Sequence, residues 1–270
     1  MHELAEILKP VEGIAREAGD ILMDYYGEIR QIDYKGIGDI VTEADKTSEK
    51  LITERLESRF PDYAVLGEEF GMSAVQSDKC WVTDPLDGTA NYAARCPIFA
   101  VAIGLLHNGV PVLGVVFDPN TDQMFSAVKG GGATLNGGAI RVNDREKLDP
   151  IGLFGFGSPV LEILHPFIQK CGKGRSLGSA ALHICSVATG YFDGSFDLYT
   201  KLWDIAAAAV ILQEAGGSMT QPSGALLFPL PSDSSAYQGH NVPFLATNGR
   251  IHEECVNTLE EDKKNKRNLQ

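Results

Sequence analysis

Between Ile98 and Val142 the helical period is lost, and short apolar runs alternate with turn residues. Ile98-Phe-Ala-Val-Ala-Ile103, Val112-Leu-Gly-Val-Val-Phe117 and Gln123-Met-Phe-Ser-Ala-Val128 read as strands. Asn108-Gly109 and Asp118-Pro-Asn-Thr-Asp122 connect them, since Asn-Gly tolerates the positive φ that a tight hairpin demands. Ala133-Thr-Leu135 and Ala139-Ile-Arg-Val142 flank Asn136-Gly137-Gly138 as a further hairpin. This pattern predicts an antiparallel meander in the N-terminal half, and so an α/β (α+β) fold once the flanking helices are counted.

Leu4, Ile7, Leu8, Val11, Ile14, Ala15, Ala18, Ile21, Leu22 and Tyr25 recur at helical spacing, which predicts one long amphipathic helix ending near Gly27. Lys35-Gly36-Ile37-Gly38-Asp39 follows as a loop, a candidate lid because glycines flank it. Thr42-Glu43-Ala44-Asp45 leads into a second helix that stops before Pro61. Tyr63–Leu66 is a short strand closed by Gly67-Glu68-Glu69. Beyond Asp149 the reading is a strand over Ile151–Phe156 and helices over Pro159–Lys170, Ala180–Ala188 and Trp203–Ala215, the last stopped at Gly216-Gly217. A second sheet is expected there. Residues 1–270 are expected to form a single unit, with halves of about 1–145 and 146–260. The charged tail, 261–270, is expected to fray.

Composition excludes several classes of function. A formal charge of −13 opposes non-specific binding to nucleic acid or to an anionic membrane. No apolar run reaches the roughly 18 residues that a membrane span needs. Cys80, Cys96, Cys171, Cys185 and Cys255 are scattered, without a C-x-x-C pair, as expected for a reduced cytoplasmic protein. His107, His165, His183 and His240 show no ligand spacing with one another or with cysteine.

Chemistry concentrates where elements end. Asp45, Glu68, the pair Asp84/Asp87 and Asp204 each stand at a strand end or a helix start. Any one of them reads as well as a cap or a solvated loop charge. Together they offer hard oxygen donors. Pro85 fixes the turn after Asp84, Gly88 lets the backbone approach a ligand, and Thr89 opens a short helix whose first N–H groups would face an anion. A divalent cation joins carboxylates to phosphate, because Mg²⁺ takes a few carboxylates, keeps waters and accepts a phosphate oxygen.

These motifs resemble the inositol monophosphatase family, within the metal-dependent, lithium-sensitive sugar phosphatases. The residues that carry the likeness are Gly67-Glu68-Glu69, Asp84-Pro85-Leu86-Asp87-Gly88-Thr89 and Trp203-Asp204-Ile205-Ala206-Ala207. Asp39-Ile40-Val41-Thr42-Glu43-Ala44-Asp45, Leu135-Asn136-Gly137 and Gly178-Ser179-Ala180 fit as well. The resemblance implies a layered αβαβα sandwich and a homodimer. It implies that Glu68, Asp84 and the Leu86 carbonyl hold one Mg²⁺, that Asp84, Asp87 and Asp204 hold a second, and that a weaker third ion sits near Glu68. Mn²⁺ is the alternative metal. Asp45 and Thr89 would orient and deprotonate the attacking water.

By the same likeness, Asp87, Gly88, Thr89, Gly178, Ser179, Ala180, Asp197 and Asp204 would contact the phosphorylated polyol or sugar. Asp197 stands where animal inositol phosphatases commonly carry Glu, which leaves the alcohol open. Arg175 reads either as a second-phosphate contact or as a surface or interface arginine. Inositol 1-phosphate is the first expectation for the substrate. Fructose 1,6-bisphosphate, histidinol phosphate and 3′-phosphoadenosine compounds are the alternatives. A role as a protein-interaction factor for transcription machinery is the alternative from another class.

Overall fold

A computed structural model describes residues 2–27, 32–36, 39–157, 165–231 and 235–267. The chain runs α1 (His2–Tyr25), β1 (Ile32–Gly36), β2 (Asp39–Thr42), α2 (Glu43–Arg59), β3 (Ala64–Gly67), β4 (Gly71–Met72), β5 (Lys79–Asp87), α3 (Thr89–Ala93), β6 (Ala100–His107), β7 (Val110–Asp118), β8 (Gln123–Val128), β9 (Ala133–Leu135) and β10 (Gly138–Ile140). It continues through β11 (Leu153–Phe156), α4 (His165–Lys170), β12 (Lys173–Arg175), α5 (Ala180–Ala188), β13 (Gly194–Asp197), α6 (Leu202–Glu214), β14 (Ser218–Thr220), β15 (Phe244–Thr247) and α7 (His252–Arg267).

The meander forms as its turns predict. An eight-stranded sheet has the order β10-β9-β8-β7-β6-β5-β3-β4. Every neighbouring pair in it is antiparallel except β3 with β5, which are parallel. The second sheet, β12-β11-β13-β15-β14, is mixed.

Three apolar cores hold five layers together, the middle one lying on both sides of α5 and α6. Val11, Ile14, Leu22, Ile52 and Leu56 of α1 and α2 close over Trp81, Val101, Ile103, Leu113 and Val115 of the eight-stranded sheet. The other face of that sheet, with Val82, Ala100 and Ala102, meets α5 and α6, which also touch Phe244 and Ala246 of the second sheet. Phe154, Phe156 and Phe196 then meet Phe167 of α4 and Cys255 and Leu259 of α7. Each large apolar side chain removed from water contributes on the order of 2 kcal/mol.

The middle layer sets the site, and it sits unusually close to the sheet. Gly104 and Gly114 pair across β6 and β7. A Cβ on Gly104 would meet the Ala207 nitrogen at 2.9 Å, and one on Gly114 the Ala207 carbonyl oxygen at 2.1 Å. The alanines of α6 and these two glycines therefore bring the helix backbone down onto the strands. The helix start, with Asp204, is fixed by that contact.

Some expectations need correction. The segment 35–39 is not a plain loop. Its described residues are the ends of the antiparallel hairpin β1–β2, while Ile37, Gly38 and the Lys35 side chain lie outside the described residues. The helix expected from Pro159 is described only from His165, and 159–164 lie outside the described residues. Backbone helix persists through Arg267, so most of the expected tail belongs to α7. The strands β12 to β15 were not foreseen, because three or four residues carry too little periodicity to reveal a face.

Candidate active site

The site starts from an irregularity in β5. Asp84 stands opposite Ala102 and Asp87 opposite Ala100, so three steps along β5 match two along β6. The extra residue is a bulge, a place where a sheet accepts proline, and Pro85 sits in it. Residues three apart on a regular strand face opposite sides. Here both acids share the face of Ala100 and Ala102, which looks toward α5 and α6. Leu86 turns the other way, into the core beneath α1 and α2.

Both carboxylates are nearly closed off from solvent, at 2% and 7% exposure. Asp84 accepts the Leu86 N–H at 2.9 Å. Burial, reinforced by the charges of Glu68, Asp87 and Asp204, holds its carboxyl well above the usual carboxylate range. Asp87 has a different setting. It accepts the Ser179 hydroxyl at 2.5 Å, the Ala181 N–H at 2.7 Å and the Ala180 N–H at 3.2 Å. Burial lifts it to about 6, against those hydrogen bonds, which favour its charged form.

Asp204 lies in the first turn of α6 and accepts the Lys201 N–H at 2.8 Å. Desolvation, then Asp87 and Glu68, raise it well above its ordinary value. Asp197 closes β13, accepts the Tyr199 N–H at 2.9 Å and is itself raised by burial. Its charge acts on both Asp87 and Asp204. Glu68, half-buried just past β3, completes the set through its action on Asp84 and Asp204.

On the opposite wall, Asp45 lies in the first turn of α2, 1% exposed. The Thr89 hydroxyl stands 3.4 Å from its Oδ1 and 3.0 Å from the Leu86 carbonyl. Gly88 precedes Thr89 with φ of 103°, in the left-handed region. A Cβ there would come within 2.9 Å of the Ile98 carbonyl. The turn thus requires glycine for its own backbone path, a reason that does not involve a ligand.

The turn at 177–180 is pinned at the Leu177 N–H and carbonyl. His183 Nε2 accepts the Leu177 N–H at 2.8 Å, and Asn91 Nδ2 donates to the Leu177 carbonyl at 2.6 Å. Burial lowers His183 to about 4, so the ring is neutral and keeps an acceptor nitrogen. Ser179 caps α5 through the Leu182 N–H at 3.2 Å. The Arg175 side chain is exposed and donates back to the Gly174 carbonyl at 2.9 Å. Asn91 and His183 were not singled out as functional, since a polar residue that anchors backbone leaves no motif. Glu49 was missed too, though it had a signal. Asp45, Glu49, Ile52 and Leu56 follow one helical stripe, and all four are buried.

The donor chemistry fits a hard divalent cation. Glu68, Asp87 and Asp204 raise Asp84, and Asp87 and Glu68 raise Asp204, and a cation relieves that repulsion. Among the described residues no three His, Cys, Asp or Glu side chains converge into a ready-made ion cage. Mg²⁺ does not need one, since it commonly uses one or two carboxylates and completes its shell with water and phosphate oxygen. No described helix is long and apolar enough to cross a membrane.

Known proteins share this chain's sequence and fold. A curated relative from Aquifex aeolicus, "Fructose-1,6-bisphosphatase/inositol-1-monophosphatase", is 40% identical over 230 residues, covering 82% of this chain and 87% of its own. "Putative Nus factor SuhB" of Neisseria meningitidis serogroup B is 38% identical over 222 residues, 78% of this chain and 85% of that one. The solved inositol monophosphatase from Anabaena superposes with a TM-score of 0.80 at 34% identity, covering 96% of this chain and 97% of that one. Residues 3–264 match the inositol monophosphatase family as a whole. By sequence and fold, this chain belongs to the inositol monophosphatase family and is a phosphatase.

Proposed function

We propose that the protein hydrolyses inositol 1-phosphate with Mg²⁺. The observation that carries the reading is the cluster of acids, the buried Asp84 and Asp87 with the half-buried Asp204 and Glu68, in which Asp84 and Asp204 feel the charge of the others. Alone they would also repel a phosphate monoester. Glu68, Asp84, Asp87, Asp204 and the Leu86 carbonyl would hold two ions, with a third near Glu68. Bound there, such ions would supply charge neutralisation for the phosphate, a more acidic water and stabilisation of the leaving oxygen.

The residues of the chain do the rest. Asp45 accepts the proton of the attacking water through Thr89. The Thr89 hydroxyl has one proton and two acceptors in reach, the nearer being the Leu86 carbonyl. Turning that proton to Asp45 frees the hydroxyl oxygen to accept from water. Gly88 and Thr89 amides hold the phosphoryl oxygens. Asp197, beside Asp87 and Asp204, accepts hydroxyls of the polyol. Ser179 and Ala180 act through Asp87, which they hold.

The exposed Arg175, folded back on its own strand, favours a monophosphate over fructose 1,6-bisphosphate. The two sheets share α5 and α6, which supports one catalytic unit over 1–270. Five cysteines without a disulfide suit a cytoplasmic setting, and a homodimer is the assembly the family likeness suggests. The test is phosphate release from a panel of monoesters with Mg²⁺, with and without Li⁺. Inositol 1-phosphate is expected to give the highest kcat/KM, with inhibition by Li⁺. No release from any substrate would overturn the reading and favour an interaction factor.

A further inference from the structure

One face of α2 carries three buried polar side chains, Asp45, Ser48 and Glu49, at the spacing that shares a helical face. Each touches a different piece of the site. Asp45 stands 3.4 Å from the Thr89 hydroxyl, and the Ser48 hydroxyl donates to the Pro85 carbonyl at 3.5 Å. Glu49 reaches the Glu68 turn. One of its carboxylate oxygens accepts the Glu69 N–H and the other the Phe70 N–H, each at 2.8 Å. Those two amides follow Glu68 directly in the chain.

The segment is folded tightly around this carboxylate. A Cβ on Gly67 would come within 2.1 Å of Glu49 Oε1 and 2.6 Å of its Cδ. Glu49 is 0% exposed, and a buried carboxylate persists only where donors compensate its lost hydration. Two N–H groups aimed at two oxygens do so with charge-assisted bonds. Glutamine could not replace it in kind. Its amide has one acceptor oxygen and would turn an NH₂ toward one of the two N–H groups.

We infer that Glu49 is a positioning residue whose carboxylate holds residues 67–70 so that Glu68 meets Asp84 and Asp204. Through α2 the metal donor Glu68 and the pair Asp45–Thr89 then move as one rigid piece. This rests on the reading of Glu68 as a metal donor given above. Outer partners of this kind typically change metal affinity by about ten- to a hundredfold when removed.

The test uses the full chain with Glu49→Gln, Gly67→Ala and Glu68→Gln. Amide hydrogen exchange is read at Glu69 and Phe70 without metal, and Mg²⁺ affinity by calorimetry. Glu49→Gln is expected to speed exchange at those two amides and leave β6 and β7 protected. Its Mg²⁺ Kd should rise on the order of tenfold, while kcat at saturating Mg²⁺ changes little. Gly67→Ala crowds the same carboxylate from the other side and should give the same two changes, which keeps the inference testable if Glu49→Gln does not fold. Unchanged exchange or unchanged Mg²⁺ affinity in the folded variants would overturn it. If Glu68→Gln alone weakens Mg²⁺, only the positioning role falls. If Glu68→Gln leaves Mg²⁺ binding intact, the metal reading falls, and the role of Glu49 with it.

Discussion

Asp84 and Asp87 share one turn and one face of the sheet, yet their surroundings differ. Asp84 accepts the Leu86 N–H and faces three other acids. Asp87 receives a hydroxyl and two amides from the start of α5. The difference separates two uses of a buried charge. Asp84 is costly to the metal-free fold and valuable only when a cation is near. Asp87 also closes the N-terminus of α5, so the fold depends on it whether or not a cation is bound.

The sharpest way to break this contrast is Asp84→Asn. Its amide oxygen can still accept the Leu86 N–H, but the charge is gone. Mg²⁺-dependent phosphate release is expected to fall about a thousandfold, on the order of 4 kcal/mol of barrier. The metal-free melting temperature should hold or rise. A large loss of metal-free stability would show that Asp84 is structural as well.

Asp87→Ala should fail on both counts. Ser179, Ala180 and Ala181 would lose their acceptor, at a cost of about 2–3 kcal/mol in urea unfolding, alongside lost activity. Stability equal to the parent would erase the distinction drawn above.

The α5 wall also carries a pH dependence of its own. His183 lies at about 4 when folded, against an ordinary 6.5, so the unfolded chain binds the extra proton between those values. Stability from this group is full above the upper value and declines as pH falls. Relative to His183→Gln, the parent should lose about 2 kcal/mol by pH 5. A constant difference between the two from pH 7 to pH 5 would count against the neutral ring. The smallest effect concerns the metal. Asp87, raised to about 6 in the metal-free fold, holds a proton below that pH, and Mg²⁺ must displace it. Mg²⁺ binding should weaken on going from pH 7.5 to pH 5.5, by about fourfold from Asp87 alone, with the raised Asp84 and Asp204 adding in the same direction, read by calorimetry.

Much of this site could be read from contiguous residues. Asp84-Pro85-Leu86-Asp87-Gly88-Thr89 and Trp203-Asp204 carry their chemistry within one turn each, and the Asn-Gly turns announced the meander. What stayed hidden depends on contacts between distant segments. Ser179 was expected at the substrate, and it is bonded to Asp87, 92 residues away. Leu177 is held by Asn91, 86 residues away, and by His183 one helical segment on. Gly88 was expected to admit a ligand, and its backbone angle and the Ile98 carbonyl already demand it. The short strands of the second sheet owe their faces to α5 and α7, which no local period could report.

The irregularity at Pro85 also makes the spacing of the two aspartates a matter of parity. Deleting one residue between them would remove the extra step and restore a regular ladder. The second carboxylate would then still share the face, two residues on, but it would reach the level of Ala100 without the outward bend of the chain. Inserting one residue would instead enlarge the bulge, so that the face of the second carboxylate is set by the path of the longer turn and no longer by the ladder. A variant library that lengthens this turn should therefore recover function only where sidedness is conserved, whatever residues fill the gap.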